Sequence, residues 1–77
     1  MKQAYDVTLQ LVHIEETNTY TILKETSTGK TRWLKNFTDN KDAYEWLTNH
    51  VKKYESSGFT AFGNGTGLYY RLVQDNA

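Results

Sequence analysis

The stretch that decides the fold is DNKDAYEWLTNHVKKYESS, residues 39–57. Its apolar side chains recur at the spacing of one helix face, at Ala43, Leu47, Val51 and Tyr54. Thr38, Asp39 and Asn40 are all of types that commonly cap the start of a helix, and Gly58 suits the left-handed backbone that often ends one. The pattern predicts one amphipathic helix over residues 39–57.

Segments on both sides of this helix have the periodicity and composition of β-strands. Residues 4–14 alternate, with Val7, Leu9 and Leu11 at one parity and polar side chains at the other. Turn-like residues separate the remaining strand candidates, which are residues 19–26, 31–37, 59–62 and 68–74. We predict an α+β fold in one domain, residues 1–77, with residues 75–77 as a tail. It has an antiparallel sheet of four or five strands in the order β-β-β-α-β-β, with the helix packed on one face.

The composition excludes several classes of function. The chain has 77 residues, nine basic and nine acidic side chains, and neither cysteine nor proline. Without cysteine it has no disulfides, thiolate nucleophiles or zinc–thiolate sites. Its apolar runs are two or three residues long, too short for a membrane span or a signal-peptide core. We therefore expect a cytoplasmic protein that does not bind membranes.

Two glycine-containing strings have some features of phosphate-binding motifs. Thr28-Gly29-Lys30-Thr31 copies the end of a P-loop, but the motif requires a glycine where Lys24 stands and a helix where a strand follows. Residues 63–67, Gly-Asn-Gly-Thr-Gly, suit a hairpin turn, with a ligand loop as the alternative. We expect both strings to form turns.

Residues suited to catalysis or metal binding are scarce. The two histidines, His13 and His50, are too few for a zinc site, the acids Glu15 and Glu16 near His13 belong to a turn, and each serine is explained by a turn or a helix end. We interpret His50 as a residue at the border of the helix's apolar stripe. The sequence predicts no enzyme activity, no cofactor and no metal site.

Charge is segregated along the chain although its sum is zero. Between residues 24 and 35 the basic side chains are Lys24, Lys30, Arg32 and Lys35, against the single acid Glu25. Trp33, Lys35 and Phe37 share one parity in a regular strand, which leaves two arrangements open. Pointing outward, these side chains form a basic and aromatic platform for nucleic acid. Pointing inward, Trp33 and Phe37 pack under the helix, and this is the arrangement that we expect.

Residues 20–49 also carry a resemblance to a known family. The run YTILKETSTGKTRWLKNF and the helix that follows, with its Ala-x-x-Trp-Leu pattern, resemble the amino-terminal arm-binding domain of phage-type tyrosine recombinases. In that family a three-stranded sheet is backed by a helix, and its exposed face enters the DNA major groove. The resemblance implies that Lys24, Lys30, Arg32 and Lys35 face DNA, and that Ala43, Trp46 and Leu47 pack on the sheet. The chain departs from the family in its neutral charge and in the segment after Gly58.

The function that we expect is a small non-catalytic binding module, an accessory or inhibitor protein of a phage or mobile element that acts by protein–protein contact. The expectation rests on elimination and on the sheet edge and face that the fold leaves for a partner protein or a homodimer. The alternative is a DNA- or RNA-binding protein that uses the basic face of the second and third strands. The candidate residues are Lys24, Lys30, Arg32, Trp33, Lys35, Asn64 and Arg71.

Overall fold

The computed structural model describes residues 6–74 and shows the predicted α+β fold. The elements follow in the predicted order: β1 (Asp6–Ile14), β2 (Thr19–Thr26), β3 (Thr31–Phe37), α1 (Asn40–Ser56), β4 (Phe59–Gly63) and β5 (Tyr69–Gln74). Because residues 59–62 do form a strand, the sheet has five strands rather than four. The predicted strand residues 4 and 5 and the predicted tail, residues 75–77, lie outside the described residues.

β1 lies at the centre of an antiparallel sheet with the strand order β3-β2-β1-β5-β4. It pairs with β2 on one side and with β5 on the other. Its alternation sends Val7, Leu9 and Leu11 to the side where α1 packs, and Thr8 and Gln10 to the opposite side. The strand with the most regular apolar alternation therefore supplies the middle of the core.

Local hydrogen bonds fix both ends of α1. The Asp39 carboxylate accepts a hydrogen bond of 2.8 Å from the backbone N–H of Lys41, which satisfies one of the donors that a helix start leaves without a partner. Gly58 has a φ of +97°, and its N–H donates to the Glu55 carbonyl at 3.2 Å. The helix is one residue shorter at each end than predicted. Within residues 6–74 no helix is long and apolar enough to cross a membrane.

The core is a single layer of side chains between α1 and the sheet. Its buried members come from the helix stripe and the three central strands, and they are Val7, Leu9, Leu11, Ile22, Ala43, Leu47, Val51 and Leu72. Each of the larger aliphatic side chains contributes about 1.5–3 kcal/mol by its burial. Because this set is small, the half-buried aromatic side chains packed around it add a substantial part of the apolar burial.

A β-bulge interrupts the pairing of β3 with β2. Leu23 pairs with Trp33 and Thr21 pairs with Asn36, so β3 has one residue more than β2 between these two pairs. The Thr21 hydroxyl, buried at the bulge, donates a hydrogen bond of 3.1 Å to the carbonyl of Lys35. An extra residue in one strand reverses which side of the sheet the following side chains occupy.

The bulge corrects one sequence expectation. Trp33 lies opposite Leu23, on the side of the sheet away from α1, and is 57% exposed. Phe37 pairs with Tyr20 on the helix side and packs against the core. The prediction that both aromatic residues lie under the helix is therefore confirmed for Phe37 and wrong for Trp33, because the bulge separates them.

The Thr-Gly-Lys string forms the turn of the β2–β3 hairpin, as predicted. Gly29 has a φ of +87°, a backbone conformation that residues other than glycine rarely adopt. The backbone N–H of Thr26 donates to the carbonyl of Lys30 at 2.9 Å. The string therefore lies in a hairpin turn and not at the start of a helix.

The glycine-rich connection between β4 and β5 is also a turn. The Asn64 side-chain oxygen accepts hydrogen bonds from the backbone N–H and the hydroxyl of Thr66, at 3.1 and 2.6 Å. Gly67 lies against the Tyr44 ring of α1, and a Cβ added there would come within 3.1 Å of that ring. Glycine at this position lets the turn pack closely on the helix.

Candidate functional site

A continuous row of aromatic side chains follows the boundary between α1 and the sheet. Trp46, His50 and Tyr54 occur at every fourth helix residue and so share one side of α1. The Trp46 and His50 rings are stacked with centroids 4.6 Å apart, and Tyr54 meets His50 edge-on at 5.3 Å. Phe37 extends the row at the Trp46 end, and Phe59 extends it at the Tyr54 end. We call these five residues the aromatic row.

A groove of about 330 Å³ opens between the aromatic row and the β2–β3 hairpin. It is lined by Lys24, Leu34, His50, Lys53, Tyr54, Ser57 and Phe59. The Lys24 ammonium lies 5.8 Å from the centroid of the Tyr54 ring, within cation–π range. This helix-side groove thus combines apolar and aromatic walls with two ammonium groups.

A smaller cleft of about 260 Å³ adjoins the groove along the hairpin. Lys24 lines both, and the cleft adds Lys30 and Arg32, the latter being the register partner of Lys24. None of the described residues that line the groove or the cleft is acidic. We call the four cations of these two depressions, Lys53, Lys24, Arg32 and Lys30, the basic track.

His50 lines the groove close to two of its cations. Its partial burial lowers its pKa below the ordinary value of 6.5, and the charges of Lys53 and Lys24 lower it further. The imidazole is therefore neutral at neutral pH, with two cations near it. An anion bound between those cations would raise the pKa of His50.

The opposite side of the sheet is covered by no element of residues 6–74. Trp33 and Phe62, on the two edge strands, are 57% and 54% exposed there. Between them the strand register places Leu23, Gln10 and Tyr69 side by side on β2, β1 and β5. We call this surface the open face; its members are Thr8, Gln10, Val12, Leu23, Glu25, Trp33, Phe62, Tyr69 and Arg71.

The charges of the open face are few. Arg71 donates two hydrogen bonds to one carboxylate oxygen of Asp6, from Nη2 at 2.7 Å and from Nε at 3.2 Å. The hydrogen bond and charge of Asp6 raise the pKa of Arg71. Among residues 6–74, Arg71 is the only cation that the strand register places on this face. The cation of this face is therefore already paired with an acid, whereas no described residue that lines the groove or the cleft is acidic.

The structure brings three predicted site residues together but on an unexpected side. Lys24, Lys30 and Arg32 meet in the basic track, on the helix side of the hairpin. Trp33 lies on the other side, so the outward platform of basic and aromatic residues does not form. The cations that the recombinase resemblance directs toward DNA are thus not on the open face. The packing it implies is observed for Ala43 and Leu47, which are buried, and for Trp46, which is half-buried against the core.

The other predicted residues are dispersed. The Lys35 ammonium lies 5.4 Å from the Phe37 ring centroid, at the outer end of the aromatic row. Arg71 is on the open face, paired with Asp6. The Asn64 side-chain oxygen is engaged inside its own turn. None of these three lines the groove or the cleft.

Some residues of the helix-side groove and of the open face are not among those predicted from the sequence. His50, Lys53 and Tyr54 line the groove, and their i, i+3 and i+4 spacing on one helix side was an available signal. The apolar pattern alone places His50 at the border of the helix stripe and Tyr54 within it. Nothing in the sequence signals that Phe62 is exposed on the open face.

No protein-family model, curated protein or solved structure matches the chain. Within residues 6–74 no three His, Cys, Asp or Glu side chains are grouped closely enough to hold a metal ion. The resemblance to recombinases stays a prediction. The open face and the helix-side groove are the features from which a function can be argued.

Proposed function

We propose that the protein is a small non-catalytic binding module that acts by protein–protein contact through its open face. The observation that carries this proposal is the exposure of Trp33 and Phe62, 57% and 54%, on a sheet face that no element of residues 6–74 covers. Tryptophan and other large aromatic residues often contribute much of the binding energy in protein interfaces. A second protein on this face would add a third layer to the helix and the sheet and would bury these two side chains.

The partner that the geometry favours is a second copy of the chain. Because β1 is the central strand, a two-fold axis along β1 stacks β2 on β5 of the other copy. Glu25 and Arg71 both lie beside Thr8 in the register, so this axis sets Glu25 against Arg71 of the other copy, twice. It also sets Leu23 against Tyr69 on both sides of the axis, while Thr8 and Gln10 of β1 meet the same residues of the other copy.

Sedimentation over roughly a hundredfold range of protein concentration tests this proposal. We expect the wild type to dimerise, and Trp33→Thr combined with Phe62→Thr to shift the equilibrium strongly toward monomer. Leu68→Thr is the matched control, since Leu68 is an exposed apolar residue, 39% exposed, outside the open face. A wild type that stays monomeric throughout would contradict self-association.

Exchanging the charges of Glu25 and Arg71 tests the two-fold arrangement of the dimer. Glu25→Arg or Arg71→Glu alone places like charges opposite each other and should weaken the dimer, whereas the two together should restore it. Failure of the double variant to recover association, with the single variants still folded by circular dichroism, would argue against the two-fold axis along β1.

Nucleic-acid binding is a second candidate, favoured by the basic track. Its four cations gather without an acidic neighbour among the described lining residues, although the chain as a whole is neutral. Fluorescence titrations with duplex and single-stranded DNA at two salt concentrations test it. We expect binding that weakens with salt and that Arg32→Gln reduces. No binding at low salt would exclude this candidate and leave the open-face proposal untouched.

A further inference from the structure

We infer that the helix-side groove binds an unpaired nucleotide, with its base against the aromatic row and its phosphate on the basic track. The inference rests on the second candidate function and narrows it from nucleic acid in general to a nucleotide whose base is accessible, either free or within a single strand. It is independent of the open face, which lies on the other side of the sheet.

The shape and lining of the groove suit a base. Its volume of about 330 Å³ is near the lower end of the roughly 300–1,000 Å³ that small-molecule sites occupy. Leu34, Tyr54 and Phe59 supply apolar and aromatic surface, and His50 adds a third aromatic ring. Aromatic side chains bind unpaired bases by stacking, which a base inside a duplex cannot offer.

The cations are placed for a phosphate next to that base. Lys53 and Lys24 lie in the groove itself, and Lys24 also lines the adjoining cleft with Lys30 and Arg32. A phosphate at Lys24 would therefore lie beside the base, and a following phosphate would reach the cleft. Because no described lining residue is acidic, an anion gains attraction here without displacing an internal ion pair.

The charged groups that act on His50 are both positive. The charged groups that lower its pKa are Lys53 on its own helix and Lys24 on β2. The contributions of β3 and β4 to the same groove are Leu34 and Phe59, which do not titrate. A bound phosphate would offset both ammonium charges and raise the His50 pKa.

Trp46 provides a probe of the groove. The chain has two tryptophans, and Trp33→Phe leaves Trp46, which stacks on His50 at 4.6 Å, as the only tryptophan, so its emission can be excited selectively. In this variant we expect AMP at low salt to change Trp46 fluorescence saturably. Adenosine and inorganic phosphate should each bind roughly tenfold more weakly, since each lacks one of the two contacts. Nuclear magnetic resonance should show the His50 pKa rising when AMP is bound.

Two adjacent lysines give a matched pair of variants. Lys53→Gln removes a charge that lines the groove, and Lys52→Gln removes the same charge one residue away, at a position that lines neither depression. AMP binding should weaken several-fold in the first variant and stay near wild type in the second. Equal effects of the two variants would overturn the inference, because the attraction would then be unspecific.

Titrations with different ligands distinguish a free nucleotide from a nucleotide within a single strand. They also distinguish failure of this inference from failure of the broader nucleic-acid candidate. A single-stranded oligodeoxyadenylate that binds at least tenfold tighter than AMP, with a salt slope near −3 for four cations, would identify the nucleotide as part of a strand. Equal affinities would identify a free nucleotide. No saturable response to either ligand, or inorganic phosphate binding as tightly as AMP, would overturn the inference. Duplex binding without AMP binding would also overturn it, while it would support the broader second candidate.

Discussion

The two sides of the sheet are built from the same strands, yet they offer different chemistry. The helix side holds the aromatic row and the basic track around an apolar core that α1 covers. The open face has exposed Trp33 and Phe62 and a cation already paired with Asp6. The bulge in β3 produces much of this difference, because it sends Trp33 and Phe37 to opposite sides. Basic and aromatic residues that are close in sequence can therefore form two surfaces instead of one.

The largest expected effect comes from truncating leucines on the two sides. Leu9→Ala removes a fully buried side chain beneath α1 and should lower the free energy of unfolding by about 3 kcal/mol. Leu23→Ala removes a half-buried side chain from the open face and should lower it by about 1 kcal/mol. Urea denaturation at a concentration where the chain is monomeric measures both. Equal losses would mean that the open face is covered in the monomer.

A second comparison uses two aromatic residues of β3. Phe37→Ala removes packing against the core and Trp46 and should cost about 2 kcal/mol, less than for a fully buried phenylalanine. Trp33→Ala, on the exposed side of the bulge, should cost under about 1 kcal/mol. The same denaturation experiment decides the outcome. A larger loss for Trp33 than for Phe37 would be incompatible with the bulge.

The pH dependence of stability tests the electrostatics of the helix side. Because the folded-state pKa of His50 lies below its ordinary value of 6.5, the unfolded chain binds more protons than the folded chain just below pH 6.5. His50 therefore makes the free energy of unfolding rise as pH increases through this window and level off above it. Denaturation midpoints across the window should show this rise, and His50→Gln should reduce it. An unchanged profile in the variant would assign the rise to other groups.

The smallest effect is expected on the open face. Arg71 is exposed, and its ion pair with Asp6 is screened by water. Arg71→Gln should leave the urea midpoint of the monomer unchanged within error, with Lys52→Gln as a matched removal of one exposed charge. A clear loss confined to the Arg71 variant would show that the ion pair holds β1 to β5.

The order of elements could be predicted because it depends on local patterns. Alternation identified β1, and the apolar spacing with Asp39 and Gly58 identified α1 within one residue at each end. The bulge could not be predicted in the same way, since Trp33 and Phe37 have the same parity in the sequence. Only the paired strand shows that β3 contains an extra residue.

Part of the candidate site could also be predicted from local sequence. Lys24, Lys30 and Arg32 are close in sequence, so their clustering followed from one hairpin. Lys53 and Tyr54 join them only when α1 crosses the sheet, which depends on tertiary packing. The side on which the cations lie was also beyond the local pattern, because it is set by the pairing of Lys24 with Leu9.

The central position of β1 has a consequence for how the chain folds. One neighbour, β2, follows it directly, whereas the bond between Asp6 of β1 and Arg71 of β5 joins residues 65 positions apart. Closing so long a loop costs entropy before any pairing can repay it, which slows folding. Until β5 arrives, β1 is an edge strand with open backbone groups and apolar side chains, the kind of segment that pairs with other chains. The strand that lies in the middle of the folded sheet is thus open to pairing with another chain during synthesis or refolding until β5 joins it.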